Sequence, residues 1–91
     1  MKAKIWNKTW WVLNTNPERL KAEYLCKLIK SGFNVLDTME YFFKPCGYTG
    51  LFLLAESHLA IHTFPEENKT YVELSSCVED KFNNFIIIMQ K

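Results

Sequence analysis

The side chains best suited to chemistry crowd into one short run: Glu56-Ser57-His58, then His62-Thr63, then Glu66. They lie between strongly apolar segments, where so many polar groups need a reason to be. A serine with a histidine nearby suggests nucleophilic catalysis, because the ring can take the hydroxyl proton. No acid stands in an obvious third role, so these residues alone make a weak hydrolase. His58 and His62 are four apart and share a face on a strand as they would on a helix. Two such imidazoles hold a metal only where a third ligand approaches; otherwise they are polar filler on a sheet. The sequence has no Gly-rich phosphate loop, no GxSxG elbow and no zinc-type ligand spacing, so no metal site is expected. Cys26, Cys46 and Cys77 form no CxxC pair. One of them can be a working thiol; a small buried hydrophobe is the plainer reading of Cys26 and Cys46.

The elements that must position these groups can be read from pattern. Residues 5–13, aromatic and β-branched, predict a strand. Asn16-Pro17-Glu18 is a helix start, with a capping side chain, a proline at the first helical position and an acid in the first turn. Leu20, Tyr24, Leu25, Leu28 and Ile29 recur at helical spacing, and Ser31-Gly32 ends the helix. Residues 33–43 return to a strand pattern, and Lys44-Pro45-Cys46-Gly47 is a turn. Residues 48–55 read as a strand apolar enough for burial on both faces. Two further strands are expected at 58–64 and 70–76, joined by the polar loop 65–69. For the remainder, Glu79–Asn84 reads as a short helix or turn and Phe85–Met89 as an edge or terminal strand. The expected class is α+β: a single small domain over residues 1–91, mainly an antiparallel sheet packed by one main helix.

Composition narrows the function classes. Of 91 residues 48% are hydrophobic and 15% aromatic, enough apolar surface to fold and too much for a disordered chain. The net charge of +1 leaves no electrostatic footprint for nucleic acid. The apolar runs 51–55 and 85–89 are too short to span a bilayer, and Met1–Lys8 lacks the pattern of a secretory leader. An odd number of unpaired thiols fits a reducing cytoplasm.

Residues 43–66, FKPCGYTGLFLLAESHLAIHTFPE, resemble the self-processing segment of the short prokaryotic S-adenosylmethionine decarboxylases. Gly47, Thr49, Gly50, Glu56, Ser57, His58, Ile61, His62, Thr63, Pro65 and Glu66 all fall in register with that family's G-x-T-G-x-x-L-L-A-E-S-H and I-H-T-aromatic-P-E runs. Cys77 stands twenty residues beyond Ser57, where the family has its catalytic cysteine. The resemblance implies a chain that cuts itself between Glu56 and Ser57 into a β chain, 1–56, and an α chain, 57–91. Ser57 would become a pyruvoyl group, whose carbonyl condenses with the substrate amine as a Schiff base and takes up the electrons left by departing CO2. It further implies His62 as the processing base, Cys77 as the proton donor to the substrate carbon and Thr49 as a hydroxyl supporting processing. Phe43 would stack on adenine and Glu66 would bind ribose hydroxyls. Such an enzyme makes decarboxylated S-adenosylmethionine for polyamine synthesis. Family members pair and build sites from both protomers, so a homodimer is expected.

On an ideal strand Ser57 and His62 point to opposite faces, so their cooperation in one chain needs a bend near the cut. The chain departs from the family pattern in three places. Glu73 stands for the usual Asp, Val78 for the Gly after the cysteine, and only fourteen residues follow Cys77 where the family continues with a helix and a strand. Two other functions stay open: a pyruvoyl decarboxylase of another amino acid such as ornithine or arginine, and an unprocessed relative that binds a nucleoside or serves as a partner subunit.

Overall fold

The structure, a computed structural model, describes residues 3–90. Their elements run β1 (Trp6–Val12), α1 (Pro17–Lys30), β2 (Val35–Phe42), β3 (Tyr48–Leu54), β4 (Ser57–Phe64), a 3-10 turn (Pro65–Glu67), β5 (Lys69–Ser76) and α2 (Glu79–Met89). The five strands form one antiparallel sheet in the order β1-β5-β4-β3-β2. The helices contribute their buried side chains to one core with one face of the sheet.

Local chemistry explains the start of α1. The Asn16 side chain accepts a hydrogen bond from the Arg19 N–H at 3.0 Å, and Pro17 needs no donor partner there. The helix ends at Ser31, and Gly32 follows with φ of +98°, a backbone angle that L side chains rarely adopt. Leu20, Tyr24 and Leu28 form its buried stripe.

Two expectations are corrected. The segment expected as a short helix followed by a strand is a single helix, α2. Phe82, Phe85, Ile86 and Met89 lie three and four apart, and as a helix they put one apolar stripe against the core. The β-branched run Ile86-Ile87-Ile88 imitates a strand, but burial of Phe85 decides the matter. Secondly, β3 is not buried on both faces. Tyr48, Phe52 and Leu54 face the helices, whereas Leu51 and Leu53 are exposed on the other side.

That other side of the sheet has no helix over it among the described residues. Strand pairing arranges it in rows: Tyr41, Thr49, His62, Tyr71 and Trp11 form one, and Met39, Leu51, Ala60, Glu73 and Thr9 the next. Its large apolar side chains are open to solvent, Met39 at 69% and Leu53 at 53%. No helix among the described residues is long and apolar enough to cross a membrane.

Candidate active site

The β3–β4 hairpin turns on two residues, Ala55 and Glu56, and Glu56 takes φ of +61°, a strained angle for a non-glycine residue. Ser57 is the first residue of β4 and pairs with Ser76, the last of β5. The chain leaving β5 folds back on the hairpin tip. The Cys77 N–H donates to the Glu56 carbonyl at 3.2 Å. The Ser57 hydroxyl, 8% exposed, donates to Ser76 Oγ at 2.7 Å. Cys77 itself is solvent-exposed and free, beside this pair. Glu56, Ser57 and Cys77 therefore form one cluster, with the carbonyl and the hydroxyl each held by a hydrogen bond.

A second cluster lies at the far end of the same hairpin, on the open face. His62 Nδ1 and Thr49 Oγ1 are 2.9 Å apart across the β3–β4 pairing. The imidazole stacks against Tyr71, with centroids 6.2 Å apart and planes 26° from parallel. Gly50 next to Thr49 is required by packing: a Cβ there would stand 2.7 Å from the Tyr48 hydroxyl, whose ring covers it. That hydroxyl donates to Glu40 at 2.6 Å, and Glu40 also pairs with Lys21 at 3.3 Å. Burial raises the Tyr48 pKa, and the bond to Glu40 raises it further. The same bond holds the Glu40 carboxyl below its usual range. Phe43, packed on Tyr41 at 4.7 Å, joins Thr49, His62 and Glu66 around a concave pocket of about 340 Å3.

All seven sequence-predicted site residues thus fall into two groups. Glu56, Ser57 and Cys77 stand together, and so do Phe43, Thr49, His62 and Glu66. One chain does not bring the groups to each other. The strand pairs in unbroken register from Ser57 to Phe64, without the bend that cooperation within one chain requires. Ser57 faces the helices, His62 faces the open side, and five residues of extended strand separate them by about 16 Å. His58 and His62 do share the open face, but four strand residues put them about 13 Å apart, beyond the reach of one ion.

Sequence reasoning passed over Ser76 and Cys46. Ser76 becomes visible only through the β4–β5 register, which one sequence does not specify. Cys26 and Cys46, both read as small buried hydrophobes, are exposed, and Cys46 lines the pocket with its Sγ 3.7 Å from Glu66 Oε2. Its turn position between Pro45 and Gly47 was the available signal.

The chain is thus a small α+β domain with helices on one sheet face, an open face on the other side, and a serine at a hairpin tip whose carbonyl neighbour is held by a cysteine N–H. The chain belongs to the S-adenosylmethionine decarboxylase family, whose sequence profile matches residues 12–91. Over 48 residues it is 46% identical to the S-adenosylmethionine decarboxylase proenzyme of Prochlorococcus marinus MIT 9313, covering 53% of this chain and 38% of that protein. With the corresponding proenzyme of Geobacillus sp. WCH70 it shares 29% identity over 75 residues, 82% of this chain and 60% of the relative. The crystal structure of the adenosylmethionine decarboxylase from Aquifex aeolicus VF5 superposes with a TM-score of 0.60 at 25% identity, covering 77% of this chain and 62% of that one. In each case the chain spans less than two thirds of the relative's length.

Proposed function

We propose that this protein is a self-processing, pyruvoyl-dependent S-adenosylmethionine decarboxylase whose precursor is cut between Glu56 and Ser57. The observation that carries the reading is the hairpin tip. Its scissile carbonyl accepts the Cys77 N–H at 3.2 Å, and the adjacent Ser57 hydroxyl is held at 2.7 Å from Ser76. Those residues suit a pyruvoyl precursor, because the reacting oxygen and carbonyl are both positioned before any cut. The Cys77 N–H stabilises negative charge developing on the carbonyl oxygen. Ser57 Oγ bonds to the Glu56 carbonyl carbon, the C–N bond breaks, and the hydroxyl proton ends on the freed nitrogen. The amide has become an ester. A base then removes the Ser57 Cα proton, and the Cβ–O pair leaves with the Glu56 carboxylate. Water replaces the nitrogen, which departs as ammonia.

The pyruvoyl group so made supplies an electrophilic carbonyl for the substrate amine and a sink for the electrons released with CO2. Cys77 returns a proton to the substrate carbon. Phe43 and Glu66 share one pocket with His62. An aromatic face and a carboxylate there favour a nucleoside-bearing substrate over free ornithine or arginine.

His62 is the base in this reading, and it lies about 16 Å along the strand from its own Ser57. A second copy supplies it. Two protomers meet through their open sheet faces, which bury Met39, Tyr41, Leu51 and Leu53, and each completed site combines residues from both. The product, decarboxylated S-adenosylmethionine, is an aminopropyl donor for polyamine synthesis. Incubation with carboxyl-labelled S-adenosylmethionine should release labelled CO2, and Ser57→Ala should abolish the release. Continued release from Ser57→Ala would refute the pyruvoyl assignment.

A further inference from the structure

The preceding mechanism names Ser76 only as the neighbour of the Ser57 hydroxyl and gives it no role of its own, yet its hydroxyl is heavily engaged in the site. Ser76 is 1% exposed, and three groups meet its Oγ. The Val78 N–H donates to it at 2.9 Å, its own proton points to the Val78 carbonyl at 3.3 Å, and Ser57 Oγ lies at 2.7 Å. A hydroxyl has one proton to give and two lone pairs to offer. With its proton turned to the Val78 carbonyl and one lone pair taken by the Val78 N–H, Ser76 has a lone pair left for Ser57, and in this arrangement Ser57 donates. That leaves the lone pairs of Ser57 Oγ unencumbered and locks its rotamer. The next residue, Cys77, holds the Glu56 carbonyl through its N–H. Three consecutive residues, 76–78, thus hold both partners of the amide-to-ester step.

We propose that Ser76 is a positioning residue for self-cleavage, orienting the Ser57 hydroxyl for attack on the Glu56 carbonyl carbon. The inference rests on the reading of Glu56–Ser57 as the cut bond. Ser76 gains and loses no proton overall. The step it aligns forms Ser57 Oγ–C, breaks the Glu56–Ser57 C–N bond and delivers the hydroxyl proton to that nitrogen.

The test times cleavage of the full chain after cell-free synthesis, using intact mass, for the wild type, Ser76→Ala and Ser76→Thr. Ser76→Ala should cut at least tenfold more slowly, while Ser76→Thr, which keeps the acceptor, should stay within about threefold of the wild type. Uncut Ser76→Ala chain should resist hydroxylamine at neutral pH, which cleaves esters and spares amides, because the variant stalls before the ester. The fraction that does cut should carry a fragment beginning at residue 57 of the same mass as the wild type's, because the variant slows the step without redirecting it. If Ser76→Ala does not melt cooperatively, Ser76→Cys replaces it, close in volume but a poor acceptor, with the same expectation. Wild-type cleavage rates in Ser76→Ala, equal slowing in Ser76→Ala and Ser76→Thr, or hydroxylamine-sensitive uncut Ser76→Ala chain would each overturn the inference. A wild type that never cuts would instead bring down the parent reading, and is distinguishable by the control alone.

Discussion

Cys77 contributes two separable groups to the hairpin tip. Its backbone N–H binds the Glu56 carbonyl, and its thiol is free and exposed. Cys77→Ala keeps the first and removes the second. The variant is therefore expected to cut itself at close to the normal rate while its decarboxylation falls at least a hundredfold, the scale on which a positioned proton donor contributes. Parallel measurement of cut fraction and CO2 release checks this, and unchanged turnover would remove the thiol from the reaction. At this scale the sequence was informative about identities and silent about partners. Ser57 and His62 stand out by type and clustering and Cys77 by the family resemblance, whereas the Ser57–Ser76 bond depends on a strand register that the residues do not declare.

Among the elements, α2 decides how the core closes. Phe85 is fully buried and stacks with Tyr24 at 6.5 Å, whereas Ile87 is 53% exposed. Phe85→Ala should cost about 3–5 kcal/mol and Ile87→Ala well under ~1 kcal/mol, a contrast that chemical denaturation can measure. An edge strand at 85–89 would bury alternate residues and would not produce that contrast with this set of neighbours. Helix α1 was legible because cap, proline, periodic apolar residues and terminal glycine all agree. Helix α2 was not, because three consecutive isoleucines outweigh a stripe whose facing core is unknown until the sheet is in place.

The Tyr48–Glu40–Lys21 chain ties β3 to β2 and α1 below the second cluster. Glu40 titrates below its ordinary range in the fold, chiefly because Tyr48 donates to its carboxylate. Its contribution to stability is present above the ordinary glutamate pKa and lost as pH falls through the lowered folded value. Tyr48 titrates above its ordinary range, so its contribution is complete below about pH 10 and lost as pH rises further. Tyr48→Phe should cost about 1 kcal/mol at neutral pH and flatten both limbs of the stability profile. Melting curves between acid and alkaline pH test the sign on each side.

On the scale of the whole molecule, the proposed mechanism meets two clusters at opposite ends of one hairpin. An open sheet face rich in exposed apolar side chains, and His62 on that face far from its own Ser57, support the proposal of a second copy. Complementation follows. Ser57→Ala and His62→Ala chains should each remain uncut when made alone. Made together, the His62→Ala chain, whose serine is intact, should be cut by the His62 of its Ser57→Ala partner. A mixture that stays uncut would place the whole site within one chain. The resemblance implies pairing, and the unbroken alternation along β4, which keeps Ser57 and His62 on opposite faces, is the structural reason for proposing it.

Whether the chain cuts itself is read from intact-mass spectrometry of the freshly purified protein. Two species divided after Glu56 are expected, the fragment beginning at residue 57 lighter than its serine-started form by one ammonia. A single full-length mass after long incubation, with the protein folded and paired, would contradict self-cleavage.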